Sequence, residues 1–187
     1  MKIYDTAKLA ISELANVELG NLKKVYNFGI ENDAIYSCGD KIFKVTSARQ
    51  EYLASKRIIG QDFKNVVKIY DSFECNILGY HDDTIWKSYI IEEEKLTRER
   101  YKFVFKDLDL YTLSVDVENR LPYFVSVING LAELNSIGIR YDDLHSLNIM
   151  STKDGVIKIL DFGYVSIKRK FNKTNMRVYL DNKEKGA

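Results

Sequence analysis

The sequence has few cysteines, prolines and histidines, and almost no net charge. Its 187 residues include only two cysteines, one proline and two histidines, and 28 Lys and Arg nearly balance 27 Asp and Glu. Cys38 and Cys75 lack the close Cys/His spacing of a zinc site, so we expect two reduced thiols, as in a cytosolic protein. The net charge of +1 argues against a general attraction to nucleic acid or to an anionic membrane.

Long apolar segments are also absent. No run reaches the roughly 20 residues that a membrane span requires. The first part of the chain carries Asp5, Glu13 and Glu18, which interrupt any signal-peptide core. We therefore predict a cytoplasmic protein with no membrane span, in which 45% hydrophobic residues form a core without disulfide or metal support.

The first half of the chain alternates between helical and strand-like patterns. Apolar residues at near-helical spacing predict a helix over residues 4–16, with Asp5 or Thr6 as its N-cap. Segments rich in β-branched and aromatic residues predict five strands, with one helix between the third and the fourth. The predicted strands are 23–30, 33–38, 41–46, 66–73 and 85–91, and the predicted helix is 48–59. This order indicates a five-stranded antiparallel sheet with one helix lying on it.

The second half begins with a helical pattern over residues 121–137. Two short strand-like segments follow at 148–151 and 156–160, joined by an Asp-Gly pair that favours a hairpin turn. The last 24 residues hold seven basic and two acidic side chains, a net charge of +5, which leaves −4 for the rest of the chain. A solvated face is the ordinary interpretation of such a tail, and contact with a substrate or partner is the alternative.

One pair of motifs in the second half indicates chemistry. Residues 143–148 read Asp-Leu-His-Ser-Leu-Asn, and residues 161–163, just after the predicted hairpin, read Asp-Phe-Gly. Phosphoryl transfer needs a carboxylate to orient the attacking hydroxyl, and an amide oxygen with a second carboxylate to hold Mg²⁺ on the phosphates. An isolated Asp143 would more simply cap a turn. The ordered pair of motifs favours a magnesium-dependent phosphotransferase.

These motifs resemble the catalytic loop and the metal motif of the protein-kinase-like superfamily. The resemblance covers roughly residues 23–165 and implies an α+β, two-lobed fold with ATP and Mg²⁺ as cofactors. The N-lobe, 1–94, would hold the five-stranded sheet and its helix. The C-lobe, 95–187, would be reduced and mainly helical.

The resemblance also implies roles for individual residues. Asp143 would be the catalytic base, and Lys44 would bind the nucleotide phosphates while Glu51 holds it in place. The resemblance further implies that His145 is a γ-phosphate contact or a structural hydrogen-bonding group, and that Asn148 and Asp161 are metal ligands. Glu92 to Glu94 would form a hinge whose backbone pairs with adenine, with Glu92 and Glu94 as binding residues, and Gly29 and Asn32 would lie in a loop over the phosphates. By the residues alone, Lys44 could equally be a solvated strand residue, and Glu51 a charge on a helix surface.

The chain departs from the family pattern in four places. The phosphate loop, 28–34, has one glycine where the family has several, so we expect looser phosphate contact. Tyr141-Asp142 replaces the usual His-Arg, so no arginine is placed to pair with a phosphorylated activation loop. The Asp-Leu-His triplet is commoner in lipopolysaccharide-core and aminoglycoside-type kinases. Only 24 residues follow Gly163, which we expect to be too few for the usual activation segment. In this respect the chain resembles the truncated kinases of bacterial effectors.

Three functions are consistent with these features. The short second half favours Ser/Thr of a protein as the phosphate acceptor, with an activating protein partner and delivery to a host cytosol as further expectations. The Asp-Leu-His triplet favours a small-molecule kinase instead, acting on a sugar, a lipopolysaccharide core or an aminoglycoside. The glycine-poor loop favours a nucleotide-binding pseudokinase that acts through its surface. Nucleic acid is not expected as a partner.

Overall fold

The computed structural model describes residues 2–27, 34–79, 84–96, 117–145 and 148–168. Its elements, in chain order, are β1 Ile3–Tyr4, α1 Ala7–Leu14, β2 Lys23–Asn27, β3 Ala34–Cys38, β4 Lys41–Thr46, α2 Arg49–Ile58, β5 Ile69–Leu78, β6 Ile85–Glu94, α3 Val117–Ser136, β7 Ile139–Tyr141, β8 Ile149–Ser151, β9 Ile157–Ile159 and β10 Val165–Ile167. The predicted α+β class is confirmed, and the arrangement is compatible with a kinase-like fold.

The main sheet has six strands in the order β1-β5-β6-β4-β3-β2. The predicted count of five strands is wrong because β1 was missed. This strand pairs only Ile3 and Tyr4 with β5, in parallel. Two residues are too few to show the period-two alternation by which strands are found in a sequence. The other neighbours in the sheet are antiparallel, as predicted.

One face of the sheet packs against α1. Thr6, one of the two predicted caps, accepts a hydrogen bond from the amide of Leu9 at 3.2 Å and so begins the helix. Ile11 is fully buried in a core with Phe43 of β4 and Ile90 of β6. The N-terminal helix is therefore part of the sheet's hydrophobic core.

The opposite face of the sheet packs against α2. The hydrophobic core on this face extends to residues of the second half of the chain. Ala54 of α2, Ile91 of β6, Leu134 of α3 and Ile159 of β9 belong to one buried cluster. Val66, just before β5, forms an isolated parallel bridge to Ile159. The sheet and the second half thus share a core, and the edge of that core is where the predicted site residues lie.

Within the described residues, the second half contains α3 and two small sheets. The predicted hairpin is confirmed as β8–β9, with Gly155 at φ +82° in its turn. The pairing of β7 with β10 was not predicted, and it brings Tyr141 opposite Val165. This pairing joins the chain just before one motif to the chain just after the other. No helix in the described parts of the chain is long and apolar enough to span a membrane.

Candidate active site

Lys44 is the centre of the first group of site residues. Strand β4 carries it on the face of the sheet that packs against α2. Its Nζ lies 2.6 Å from Glu51 Oε1 and 2.9 Å from Asp161 Oδ1. The side chains of Lys44 and Glu51 are only 12% and 4% exposed. The structure therefore brings together two residues of the sheet and its helix with one that follows β9.

The electrostatics of this group keep Lys44 charged. Burial alone lowers the pKa of the Lys44 ammonium, but the charges of Glu51 and Asp161 outweigh burial and raise it above its ordinary value. Two carboxylates also fix the direction of a side chain that is otherwise flexible. The result is a preorganised cation at the edge of the shared core.

The backbone around Asp161 is anchored on both sides. Asp161 has a φ of +63°, a left-handed conformation that is uncommon for residues with a Cβ. Its Oδ1 also accepts from the amide of Gly163 at 3.2 Å. Phe162 is 1% exposed and meets the Tyr141 ring edge-on, and the Tyr141 hydroxyl donates to the carbonyl of Leu160 at 2.7 Å. Tyr141 therefore holds the segment that carries Asp161.

Asp143, His145 and Asn148 form the second group, on the loop after β7. The Asn148 Nδ2 donates to Asp143 Oδ2 and to the Asp143 carbonyl, both at 3.1 Å. His145 Nε2 lies 3.0 Å from the same Nδ2 and 3.4 Å from Asp143 Oδ2. All of these contacts use the amide nitrogen of Asn148. The amide oxygen, which is the acceptor atom of this side chain, takes no part in them.

A backbone hydrogen bond places the two groups of site residues next to each other. The amide of Leu160 donates to the carbonyl of Asn148 at 3.0 Å, so the loop group lies beside the segment that leads to Asp161. A carboxylate and an amide oxygen are hard donors of the kind that Mg²⁺ prefers, usually in company with phosphate oxygens. The donor chemistry of Asn148 and Asp161 therefore fits Mg²⁺ bound together with a nucleotide.

The other predicted binding residues lie elsewhere. Glu92 is opposite Phe43, on the face away from Lys44, and its buried carboxylate pairs with Lys41 at 2.5 Å. The carboxylate of Glu94 pairs with Lys158 at 2.7 Å. Neither side chain joins the group around Lys44. Gly29 and Asn32, and the basic tail from 169 onward, lie outside the described residues.

Glu93 lies within the predicted hinge, and its side chain shares a face of the sheet with Lys44. In the β4–β6 pairing Lys44 lies opposite Ile91, and Ile42 lies opposite Glu93. Desolvation raises the pKa of Glu93 to about 8; Lys44 opposes this shift, while Glu51 and Asp161 reinforce it. The alternation of side chains along β6 is the signal that could have identified Glu93, given the pairing with β4.

Comparison with known proteins gives distant similarity to protein kinases. No family model matches the chain. Cyclin-dependent kinase-like 2 of Pongo abelii is 25% identical over 149 residues, which cover 76% of this chain and 30% of that protein. A probable LIM domain-containing serine/threonine-protein kinase of Dictyostelium discoideum is 27% identical over 69% of this chain and 18% of that protein.

A third similar protein is the eIF-2-alpha kinase GCN2 of Schizosaccharomyces pombe, which is 29% identical over 64% of this chain and 7% of that protein. The chain thus spans less than a third of the length of each of these relatives. The similarities support a protein-kinase-like chain with a kinase-type function.

Proposed function

We propose that this chain is an ATP- and Mg²⁺-dependent phosphotransferase that transfers the γ-phosphoryl group to a hydroxyl, with Ser/Thr of a protein as the preferred acceptor. One observation carries the proposal. A buried lysine is held between Glu51 and Asp161, next to a loop in which Asn148 is hydrogen-bonded to a second aspartate. Phosphoryl transfer is catalysed mainly by positioning and charge, and these residues supply both.

Each residue has a role that its contacts support. Lys44 neutralises charge on the nucleotide phosphates, and Glu51 fixes its direction. Asp143 accepts the proton of the acceptor hydroxyl, and its carboxylate is oriented by Asn148. When bound, Mg²⁺ would neutralise the charge that develops on the phosphates, with Asn148 and Asp161 as its protein ligands.

His145 is better suited to holding the loop than to chemistry. Its ring nitrogen contacts the amide of Asn148, which in turn orients Asp143. We therefore assign His145 a positioning role, although 45% of its side chain is exposed. Replacement by Gln retains a polar contact, so it should reduce turnover less than replacement by Ala.

The choice of a protein acceptor is supported by the relatives, one of which is named as a serine/threonine-protein kinase. A sugar, a lipopolysaccharide core or an aminoglycoside is the alternative acceptor. Bacterial-effector character, an activating partner, a cytoplasmic location and the division into lobes at residue 94 stay predictions.

The test is transfer of label from γ-labelled ATP with Mg²⁺ to a cell lysate and, separately, to a panel of sugars and aminoglycosides. We expect labelled protein with the unsubstituted chain, none with Asp143→Ala, and normal labelling with the control Asp154→Asn, which alters the distant β8–β9 turn. Nucleotide binding by Asp143→Ala should stay close to that of the unsubstituted chain. Binding without transfer to any acceptor would favour the pseudokinase function, and no nucleotide binding would exclude both.

A further inference from the structure

The side of α3 that points away from the core carries apolar side chains. Leu121, Val125 and Ile128 are 55%, 46% and 62% exposed, and Ala132, also exposed, continues the series. These residues recur every three or four positions, so they lie on one stripe along the helix. We call these four residues the outer stripe of α3.

The opposite side of α3 is packed in the core. Tyr123 and Leu134 are buried in the cluster that the two halves of the chain share. Glu133, the one charged residue in the last sixteen of the helix, accepts hydrogen bonds from the amides of Lys64 and Asn65 at 3.0 and 2.9 Å. A helix that is largely apolar on both sides is normally buried on both. We therefore expect the outer stripe to be covered.

The chain leaves the described residues beside the end of this helix. The amide of Lys168, the last described residue, donates to the carbonyl of Gly138 at 2.8 Å, and Gly138 lies two residues beyond the end of α3. Arg57 of α2 also holds this point, because its guanidinium donates to the carbonyl of Lys168 at 2.9 Å. Residues 169–187 therefore begin near the C-terminal end of α3.

The segment 169–187 is long enough to reach along the whole outer stripe. From Leu121 to Ala132 the helix rises by about 17 Å, at about 1.5 Å per residue. An extended chain spans that distance in roughly six residues and a helix in about eleven. The 19 residues of the segment exceed both lengths.

The composition of the segment also suits an apolar face. Its apolar residues include Phe171, Met176, Tyr179 and Leu180, and the last three follow the i, i+3, i+4 spacing of one helix face. Six basic and two acidic residues give the segment a net charge of +4, which leaves −3 for residues 1–168 out of the total of +1. Opposite net charges favour contact between the segment and the rest of the chain, most strongly at low salt.

We propose that residues 169–187 fold back over the outer stripe of α3, so that the apolar side chains of the segment cover it. The contact joins the basic tail to the second half of the same molecule. It does not depend on whether the chain transfers phosphate, so this inference and the proposed function can fail separately.

The reactivity of a thiol placed in the outer stripe tests this contact in the whole 187-residue chain. Val125→Cys is combined with Cys38→Ser, which leaves the buried Cys75 as the other thiol. Ile85→Cys in the same background is the matched control, because Ile85 is 50% exposed and lies on β6 of the main sheet. We expect a bulky aromatic disulfide to modify position 125 at least about tenfold more slowly than position 85, since the segment must first open. Ile128→Cys repeats the measurement at a second position of the stripe.

Substitutions in the segment then test whether it is the cover. Met176→Asp with Leu180→Asp should raise the rate at position 125 to that at position 85, because two charged side chains cannot be buried against an apolar stripe. Thr174→Asp with Asn182→Asp adds the same charge at polar positions and should leave the rate low. Circular dichroism of each variant would establish that it is folded.

Two results would overturn the inference. Equal rates at positions 125 and 85 in the chain with an unsubstituted segment would show that the outer stripe is open. A low rate that Met176→Asp with Leu180→Asp leaves unchanged would assign the stripe to another occupant. That occupant would be a second copy of the chain if the rate depends on protein concentration, and another part of the same chain if it does not.

Discussion

The two groups of site residues are built in contrasting ways. Lys44 lies on a strand of the main sheet and Glu51 on the helix that packs against that sheet, and both side chains are almost fully buried. Asp143 and His145 lie on a loop, with 36% and 45% of their side chains exposed. The first group is held by packing in the core of the protein, and the second is held by hydrogen bonds within a loop. Binding and chemistry should therefore respond differently to mutation.

The largest effect should come from the loop and should be confined to activity. Asp143→Asn keeps the shape of the side chain and an oxygen that can accept from Asn148, but it removes the proton acceptor. We expect kcat to fall by about 10²–10⁴-fold, the range typical for loss of a general base. The free energy of unfolding should change by less than about 0.5 kcal/mol. A large loss of stability measured by urea titration would show that the loop group is not independent of the core.

The second-largest effect should come from the buried group, as a loss in the free energy of unfolding. Glu51→Leu leaves the Lys44 ammonium with one carboxylate partner in place of two. Removing one partner of a buried ion pair costs about 3 kcal/mol or more, which urea unfolding would show. The exposed pair of Glu74 and Lys87 is the control, and Glu74→Leu should cost less than about 1 kcal/mol. Equal losses from the two substitutions would remove the distinction between buried and exposed pairs.

A smaller effect should depend on pH. Glu93 faces Lys44 of β4, Glu51 of α2 and Asp161, and adjoins Glu94, and its pKa is raised from 4.5 to about 8. The folded protein therefore retains a proton that the unfolded chain releases, so the contribution of Glu93 to stability falls as pH rises from 4.5 to 8 and is constant above that range.

Replacement of Glu93 by Gln should abolish this decline. We expect the stability of Glu93→Gln relative to the unsubstituted chain to rise by roughly 2 kcal/mol between pH 4 and pH 9, given that the side chain is only partly buried. Thermal or urea unfolding across that range would measure the difference. A difference that does not vary with pH would show that Glu93 titrates normally.

The smallest effect should come from Tyr141, whose hydrogen bond to Leu160 lies where the two groups meet. Tyr141→Phe keeps the ring against Phe162 but removes the hydroxyl that donates to the carbonyl of Leu160. We expect a loss of about 1 kcal/mol in stability, as for one hydrogen bond. If this contact also positions Asp161, KM for Mg-ATP should rise in the same variant. A change in stability with unaltered kinetics would limit Tyr141 to a structural role.

The contrast between local and non-local structure explains what the sequence could predict. The helices, the β8–β9 hairpin and β2 to β6 were identified because each contains enough residues for a hydrophobic period or a turn signal. Strand β1 and the pairing of β7 with β10 were not identified, because they have two or three residues each and pair with distant segments.

The candidate site shows the same division. The pairing of Lys44 with Glu51 was anticipated from the family resemblance, and the structure places the two in contact. Among the three glutamates of β6, the sequence could not show which one faces Lys44. That choice depends on the register between β4 and β6, which is fixed by packing across the whole sheet.

The β7–β10 pairing has a consequence for the order of folding. It closes a loop of chain between Tyr141 and Val165, and the β8–β9 hairpin lies inside that loop. Once the hairpin has formed, the contact of Leu160 with Asn148 leaves only short segments to be ordered. The entropy lost in closing a loop falls as the free segment shortens. We therefore expect Asp143 and Asp161 to be brought together by local folding, before the main sheet supplies Lys44.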